Sequence, residues 1–271
     1  MRIGIGIRIG NSITGSVLDP ATSAFITATG ITDPTQIAAI NTLVVDLKNN
    51  GLWTKLKAIY PIVGGSATSH MYNLKDPRNL DAAFRLAFSG GWTHSANGAL
   101  PNGVNGFANT FLVPNAQFAN MFISMGVYSR TNNTTNGCDI GVTNNAVSAG
   151  IEMFSYFSGN TLNGCGDFGN RANYVAATST RLRGFTRESA TSLKSYLQGV
   201  QQSVNTTNDT TLLSGFTNPI YLGGRNLANS INSPSNKELA FGYVGEPLTN
   251  AENLILSNSV TAFQTTLGRN V

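Results

Sequence analysis

Carboxylates are the side chains of this sequence whose spacing could do the most specific chemistry. Glycoside hydrolases use two of them in one cleft, one as nucleophile or base and the other as acid. In many all-β hydrolases both acids lie on one strand at alternating positions. Here Glu152 has no acidic partner on its face, Glu238 is followed two residues later by Ala240, and Glu246 and Glu252 lie around a helix start. The acid pair is absent, and we expect this protein not to be an enzyme.

Histidines and cysteines give no stronger signal. His70 and His94 lie among Ser and Thr residues, and neither has the context of a catalytic triad. Cys138 and Cys165 lack the spacing of metal ligands. They are either two free thiols or one disulfide, and we expect neither to be required for folding. The sequence therefore predicts no catalytic residue, no metal site and no cofactor.

Sugar binding is the chemistry that the polar residues allow. The segments 132–135 and 205–208 are rich in Asn and Thr and are predicted to be exposed loops. Amide and hydroxyl groups bind sugars, usually beside an aromatic ring, and Trp92 and Tyr72 are the candidate platforms. The alternative interpretation, which we favour, makes both ordinary core or turn aromatics. A host-surface carbohydrate is thus a predicted partner without assigned binding residues.

The charge pattern excludes several classes of protein. The net charge is +4, but it comes from 17 Lys and Arg residues that are spread along the chain. The densest group, Arg181, Arg183 and Arg187, lies in a predicted strand, so we expect no nucleic-acid partner. No run approaches 18 apolar residues, and the N-terminus lacks the apolar region of a signal peptide. We therefore expect no membrane insertion and no signal-directed secretion.

The elements that position these side chains are predicted to be mainly strands. Charged residues make up only 11% of the chain and glycine is frequent, with 29 residues, as expected for many tight turns. Short segments of alternating apolar residues recur at the spacing of a sandwich. The fold class is predicted to be mainly β, an antiparallel jelly-roll sandwich of the concanavalin-like type. The candidate strands are 83–88, 109–113, 120–129, 138–143, 150–157, 172–178, 182–187, 191–201, 219–223 and 237–244.

Helices are predicted before and after the strands. Asp33 is a suitable N-cap, followed by Pro34 at the first helical position and by Gln36 where a capping box would place it. This helix should end near residue 49, and a second short helix is predicted from Leu52 to about Tyr60. A C-terminal helix over 250–266 is predicted from a capping box formed by Thr249 and Glu252, with apolar residues repeating along one face.

The N-terminal segment predicts an attachment device. Residues 1–10 (MRIGIGIRIG) place isoleucine at every odd position from 3 to 9, with glycine or arginine between. This pattern is typical of a strand that adds to a partner's sheet, or of an edge strand of the protein's own sandwich. We predict three parts: an extended anchor and linker (1–16), a helical segment (17–62), and the sandwich with its closing helix (63–271).

Four segments resemble one group of viral proteins. They are LWTKLKAIYP at 52–61, YNLKDPR at 72–78, GGWTHS at 90–95 and FQTTLGR at 263–269. The chain from about residue 20 onwards resembles virion structural or fibre proteins of phages of Bacteroidetes-type hosts, which carry a laminin-G or concanavalin-like domain. The Ile/Gly segment also looks like the attachment peptide of phage fibre proteins.

The resemblance implies a virion location, with synthesis in the host cytoplasm. It further implies contact with other virion proteins through residues 1–10, a homo-oligomer, and a head or tail fibre or spike that adheres to host-surface glycans. Two alternatives stay open: a polysaccharide depolymerase of the same fold, and a purely structural capsid or decoration protein.

Overall fold

The computed structural model describes residues 18–271. The predicted anchor over residues 1–16 lies outside the described residues, so the structure does not test it. The helices are α1 (Pro20–Thr29), α2 (Pro34–Asn49), α3 (Leu52–Lys55), α4 (Ala67–His70), α5 (Pro114–Gln117) and α6 (Asn250–Thr266), with 3₁₀ turns at Asp81–Ala83 and Leu213–Gly215. The strands are β1 (Leu56–Tyr60), β2 (Ala87–Ser89), β3 (Trp92–Ser95), β4 (Gly98–Pro101), β5 (Phe107–Asn109), β6 (Ser124–Ser129), β7 (Ile140–Thr143), β8 (Ala149–Phe157), β9 (Asn160–Asp167), β10 (Ala172–Val175), β11 (Arg181–Ser189), β12 (Ser192–Leu197), β13 (Val200–Asn205), β14 (Tyr221–Leu222), β15 (Arg225–Leu227), β16 (Ser230–Asn232) and β17 (Leu239–Gly245).

These strands form two sheets that pack face to face, which confirms the predicted fold class. Sheet I has the order β13-β12-β11-β6-β17-β4-β3, and β1 also pairs with β17. Sheet II has the order β10-β9-β8-β7-β14-β5-β2, with the β15-β16 hairpin attached to β7. Almost all of the pairs are antiparallel, and the pairing of β15 with β7 is parallel. None of the helices between residues 18 and 271 has the length and hydrophobicity that crossing a bilayer requires.

The main core lies between the sheets. The predicted apolar face of the 120–129 segment is confirmed, because Met125 and Val127 are fully buried against Phe185 and against Ile151 and Met153 of sheet II. Alternation along β8 therefore points Glu152 and Phe154 to the outer face of sheet II.

A second core lies between the helices and the outer face of sheet I. The apolar face of α2 packs with that of α6 on side chains of β17, Phe241 and Tyr243. A bulge in β17 after Leu239 lets Leu239 face the inner core while Phe241 faces the helices. Sheet I is consequently covered on both faces.

The predicted helix boundaries are confirmed at α2 and α6, with one correction to the capping of α2. Asp33 caps α2, but Gln36 does not complete a capping box, because its Oε1 accepts from the Gly64 amide instead. Thr249 and Glu252 do form the predicted box at α6.

The helix predicted from Leu52 to Tyr60 is wrong beyond Lys55. Residues 56–60 form β1, which pairs with β17 from Leu56 opposite Gly245 to Tyr60 opposite Gly242. Within the described chain, half of one edge of β17 has no partner other than β1. The backbone N–H and C=O groups of both strands are satisfied by this pairing, which a short helix over residues 56–60 would leave unmade.

The cysteines are free thiols on opposite faces of sheet II. Cys138 packs with Phe154 and Leu162 on the outer face, whereas Cys165 belongs to the core between the sheets. Burial raises the pKa of the Cys165 thiol to about 12 and that of Cys138 well above its usual value, so neither is reactive at neutral pH.

Candidate functional site

A groove opens at the edge of sheet II, where β2 and β5 form the last antiparallel pair. Ala87 lies opposite Asn109, so the residues that precede β2 and those that follow β5 emerge at the same end. The groove has a volume of about 610 Å³. We call it the edge groove, and it is lined by Asp81, Ala82, Phe84, Phe111, Val113, Ala116 and Gln117.

Two phenylalanines in left-handed backbone conformation build its apolar wall. Phe84 and Phe111 both have φ of 56°, a conformation that costs about 1–3 kcal/mol for a residue with a side chain. The hydroxyl of Tyr60 holds the first turn by donating to the Phe84 carbonyl at 2.8 Å. The turn at Phe111 is held by the Phe111 amide, which donates to Asn109 Oδ1 at 2.8 Å. Both rings are half-buried and are therefore presented on a fixed backbone.

Polar groups border the two rings. Arg85 pairs with Asp81 at 2.7 Å, and its guanidinium also lies 5.2 Å from the centre of the Phe111 ring. The Asp81 side chain is 57% exposed, so its oxygens can accept bonds from a ligand. Gln117 adds an amide to the lining of the groove. Aromatic walls with a few convergent polar groups are typical of small-molecule sites. The sequence interpretation missed this groove, since it assigned Phe84 to a strand.

The aromatic residues considered from sequence, Trp92 and Tyr72, occupy structural positions. Trp92 Nε1 donates to two backbone carbonyls, its ring stacks with His94, and a Cβ at Gly223 would lie 2.7 Å from it. Tyr72 packs against the helix-covered core. Both positions fit the interpretation as core or turn aromatics, and the half-buried Trp92 in addition lines a groove of about 450 Å³ with Asn102 and Asn236.

The Asn/Thr-rich loops are tied to neighbouring segments. Asn133 bonds Ser179 and Asn236, and Asn205 donates to the Arg171 carbonyl at 3.0 Å. Neither loop lines the edge groove.

The basic cluster on β11 faces two directions. Arg183 and Arg187 are buried between the sheets, and Arg181 is exposed. This arrangement lacks the surface stripe that nucleic-acid binding requires.

The four carboxylates considered for catalysis are each paired with cations. No two of them share an ion-pair partner, and Glu252 also caps α6. Their partners are Arg171 and Arg225 for Glu152, Arg130 for Glu238, Lys57 for Glu246 and Lys55 for Glu252.

The two histidines form a pair in which His70 is buried and His94 is half-buried. Their Nδ1 atoms lie 2.9 Å apart, and the Gly65 amide donates to His70 Nε2 at 3.2 Å. His70 therefore carries its proton on Nδ1 and donates it to His94. Burial, with smaller effects of His94 and Arg269, lowers the pKa of His70 to about 3, and burial also lowers that of His94.

The pair makes stability depend on pH. In the unfolded chain His70 takes up a proton near pH 6.5, whereas in the folded protein it does not do so until about pH 3. The folded state is therefore fully stabilised above pH 6.5, and this stabilisation is lost as the pH falls from 6.5 towards 3. We expect the unfolding free energy to fall by up to about 1.4 kcal/mol per pH unit there. Urea unfolding from pH 7 to 4 should show a shallower slope for His70→Gln than for the wild type. Equal slopes would contradict the expectation.

No protein-family model matches the chain, and no curated protein matches it. Among solved structures, it is similar to domain 4 of AbnA, a GH43 extracellular arabinanase from Geobacillus stearothermophilus in complex with arabinotriose, at 16% identity and a TM-score of 0.46, over 75% of this chain and 98% of that one. It is also similar to the NanB sialidase of Streptococcus pneumoniae (K499G mutant; 11%, 0.43), over 61% of this chain and 27% of that one. A third is the binding domain of botulinum neurotoxin DC in complex with rat synaptotagmin II (12%, 0.47), over 77% of this chain and 52% of that one. The chain thus spans nearly all of the arabinanase domain but about a quarter of the sialidase, and these likenesses concern the fold alone.

Proposed function

We propose that this protein is a carbohydrate-binding sandwich that adheres to host-surface glycans through the edge groove. The observation that carries the proposal is the pair of fixed, half-buried rings, Phe84 and Phe111, beside an exposed carboxylate. A sugar ring has an apolar face of C–H groups that packs on such rings. Its hydroxyls donate to Asp81 and accept from Arg85, which together orient the ring.

The setting we propose is a phage virion, in a head or tail fibre or spike. The support is the resemblance of residues 52–61, 72–78, 90–95 and 263–269 to virion fibre proteins, together with the strand pattern of residues 1–10. In this setting the N-terminal segment attaches the protein to the particle, copies of the chain associate, and the sandwich displays its groove to the host.

A non-enzymatic role agrees with the carboxylates. Glu152 is fully buried between two guanidinium groups and cannot approach a glycosidic bond as it stands. The alternative, a polysaccharide depolymerase, predicts release of reducing sugar from host polysaccharide, and detection of turnover would replace the adhesion proposal.

Removal of one ring should weaken adhesion. We expect Phe111→Ala to weaken binding to host-surface polysaccharide by about tenfold or more, because a ring stacked on a sugar contributes at least about 1.5 kcal/mol. Isothermal titration with the purified polysaccharide measures this. Phe157→Ala, which removes a ring that is 37% exposed at the end of β8, is the matched control and should bind like the wild type. An equal loss of affinity in both variants, or no loss in either, would refute the edge groove as the binding site. If the wild-type protein binds no glycan, a structural decoration protein is the remaining function.

Deletion of residues 1–15 should separate attachment from folding. We expect the truncated chain to fold and remain soluble, because residues between Phe25 and Phe263 bury two hydrophobic cores among themselves. Incorporation into particles, measured by immunoblot of purified virions, should be lost. Unfolding of the truncated chain would make the segment a strand of its own sandwich, and normal incorporation would place the attachment surface elsewhere.

A further inference from the structure

A buried ionic triad lies on the outer face of sheet II, on a different side of the sandwich from the helices. Glu152 projects from β8 and is fully buried. Arg225 Nη1 donates to its Oε2 at 2.7 Å, and Arg171 Nε donates to its Oε1 at 3.1 Å. The arginine side chains are 23% exposed for Arg171 and 16% for Arg225, so the guanidinium groups separate the carboxylate from solvent while remaining partly accessible.

The backbone around Glu152 is shaped to hold this triad. Gly141 and Gly164 are its direct neighbours on the two adjacent strands, and a Cβ at Gly141 would lie 2.9 Å from the Cβ of Glu152. A Cβ at Gly150 would lie 2.8 Å from the ring of Phe168. Three glycines thus leave space on the sheet for the triad and Phe168, and Cys138 also lies beside Gly141.

Phe168 stands beside both arginines. Its ring centre is 4.8 Å from the guanidinium carbon of Arg171 and 5.6 Å from that of Arg225. The side chain is only half-buried. The triad therefore combines two fork-shaped donors with an accessible aromatic ring, which is a different chemistry from that of the edge groove.

The charges and hydrogen bonds of the triad are incompletely matched. Two guanidinium groups face one carboxylate, so the triad carries a net charge of +1. Arg225 Nη2 donates to Asn232, but its buried Nε has no partner in the described part of the chain. Buried ion triads add little stability over apolar packing, and a buried unpaired N–H has a cost that calls for an explanation. An anion on the accessible parts of the two arginines would supply the missing charge.

We propose that Arg171 and Arg225 bind the carboxylate of an acidic sugar, with the sugar ring placed beside Phe168. Guanidinium groups bind carboxylates through two parallel hydrogen bonds, and a sugar acid carries both the anion and an apolar ring face. The inference rests on the proposed carbohydrate-binding function and names a second, acidic class of ligand at a separate site.

Charge variants of the triad test this in opposite directions. Isothermal titration with oligogalacturonate should show affinity lost by about tenfold or more in Arg171→Gln and in Arg225→Gln, since a hydrogen bond to a charged group is worth that much. Glu152→Gln keeps the shape but raises the local charge from +1 to +2, and it should tighten binding. A purely structural triad predicts no gain in any variant. Arg78→Gln, which removes the same charge from an exposed ion pair, should bind like the wild type.

The ligand arms decide the chemistry of the anion. The methyl ester of oligogalacturonate, which lacks the charge, should not bind this site, and equal binding of the ester would overturn the proposal. If a sulfated oligosaccharide binds and oligogalacturonate does not, the assignment of a carboxylate as the ligand's anionic group is overturned. If Arg225→Gln does not fold, Arg225→Lys keeps the charge without the fork and should still lose affinity.

Failure of this inference is distinguishable from failure of the proposed function. If neutral glycans bind the wild type and Arg171→Gln with equal affinity and oligogalacturonate does not bind, the acidic-sugar site is refuted but the proposed function is not. If no glycan of either kind binds, both proposals fail.

Discussion

Replacing Arg269 with Met should lower the free energy of unfolding by about 3–5 kcal/mol, since each buried acceptor left unpaired costs about 1–3 kcal/mol. Arg269 is 1% exposed and has no carboxylate in hydrogen-bond contact within the described chain. It donates instead to neutral oxygens from four parts of the fold. These acceptors are the carbonyls of Pro61 (2.8 Å), Ile62 (2.7 Å), Ala240 (2.9 Å) and Ala96 (3.4 Å), and Gln264 Oε1 (2.6 Å).

The measurement is urea unfolding followed by tryptophan fluorescence. Arg181→Met is the matched control, because Arg181 is exposed and its loss should change stability by less than about 0.5 kcal/mol. Arg269→Lys retains the charge but offers three donors in place of five, so its free energy of unfolding should lie between those of Arg269→Met and Arg181→Met. A stable Arg269→Met variant, within about 1 kcal/mol of wild type, would show that water replaces the guanidinium without cost.

Asp209→Ala should destabilise the sandwich by about 3–5 kcal/mol, the usual cost of leaving one charge of a buried pair without its partner. Asp209 pairs with Arg187 at 3.1 Å, and both side chains are only 2% exposed. The same carboxylate accepts from the amides of Asp167 and Thr211, at 2.8 and 2.9 Å. The variant would therefore lose the pair and the anchor of the loop that follows β13.

The matched control for this pair lies on the same strand. Glu188 pairs with Lys194 in a half-exposed salt bridge, and Glu188→Gln should change stability by less than about 1 kcal/mol. Urea midpoints of both variants check the difference. Equal effects of the two substitutions would mean that the Arg187 pair contributes no more than a surface one.

Asp209 also shapes the acid limit of stability. Burial alone would raise its pKa, but the bonds from Thr211 and Asp167 and the charge of Arg187 outweigh burial and lower the pKa below 3.8. The stabilisation is present above pH 3.8 and is lost as the pH falls below it. Asp209 therefore acts at the acid end of the pH range in which His70 acts, and below it.

Much of the fold could be predicted because its pattern is local. The alternation around Met125 and the capping box at Thr249 are read from neighbouring residues, and both are confirmed. The strand β9, Asn160–Asp167, was not predicted, because Leu162 is the one apolar side chain on its outer face and Gly164 and Gly166 follow it there. Those glycines make room for Glu152 and Asp209, which come from distant parts of the sequence.

Other errors also have tertiary causes. The predicted strand over 191–201 is two strands, β12 and β13, joined by a turn in which Gln198 and Gly199 both have positive φ. The predicted strands over 83–88 and 109–113 are broken by the left-handed Phe84 and Phe111. These two residues line the edge groove, so the sequence interpretation failed at the candidate site because strain there opposes local preference.

The bonds from Arg269 to Pro61 join residues that are 208 positions apart in the chain. Within residues 18–271, the first strand, β1, likewise pairs with the last, β17. Contacts between residues so far apart in sequence make folding slow, since forming them requires the closure of a long loop and the loss of its conformational entropy. During synthesis the early strands emerge first and wait with unpaired edges until residue 269 has left the ribosome. Chaperone supply, rather than the stability of the finished sandwich, should therefore limit the yield of folded protein in a cell.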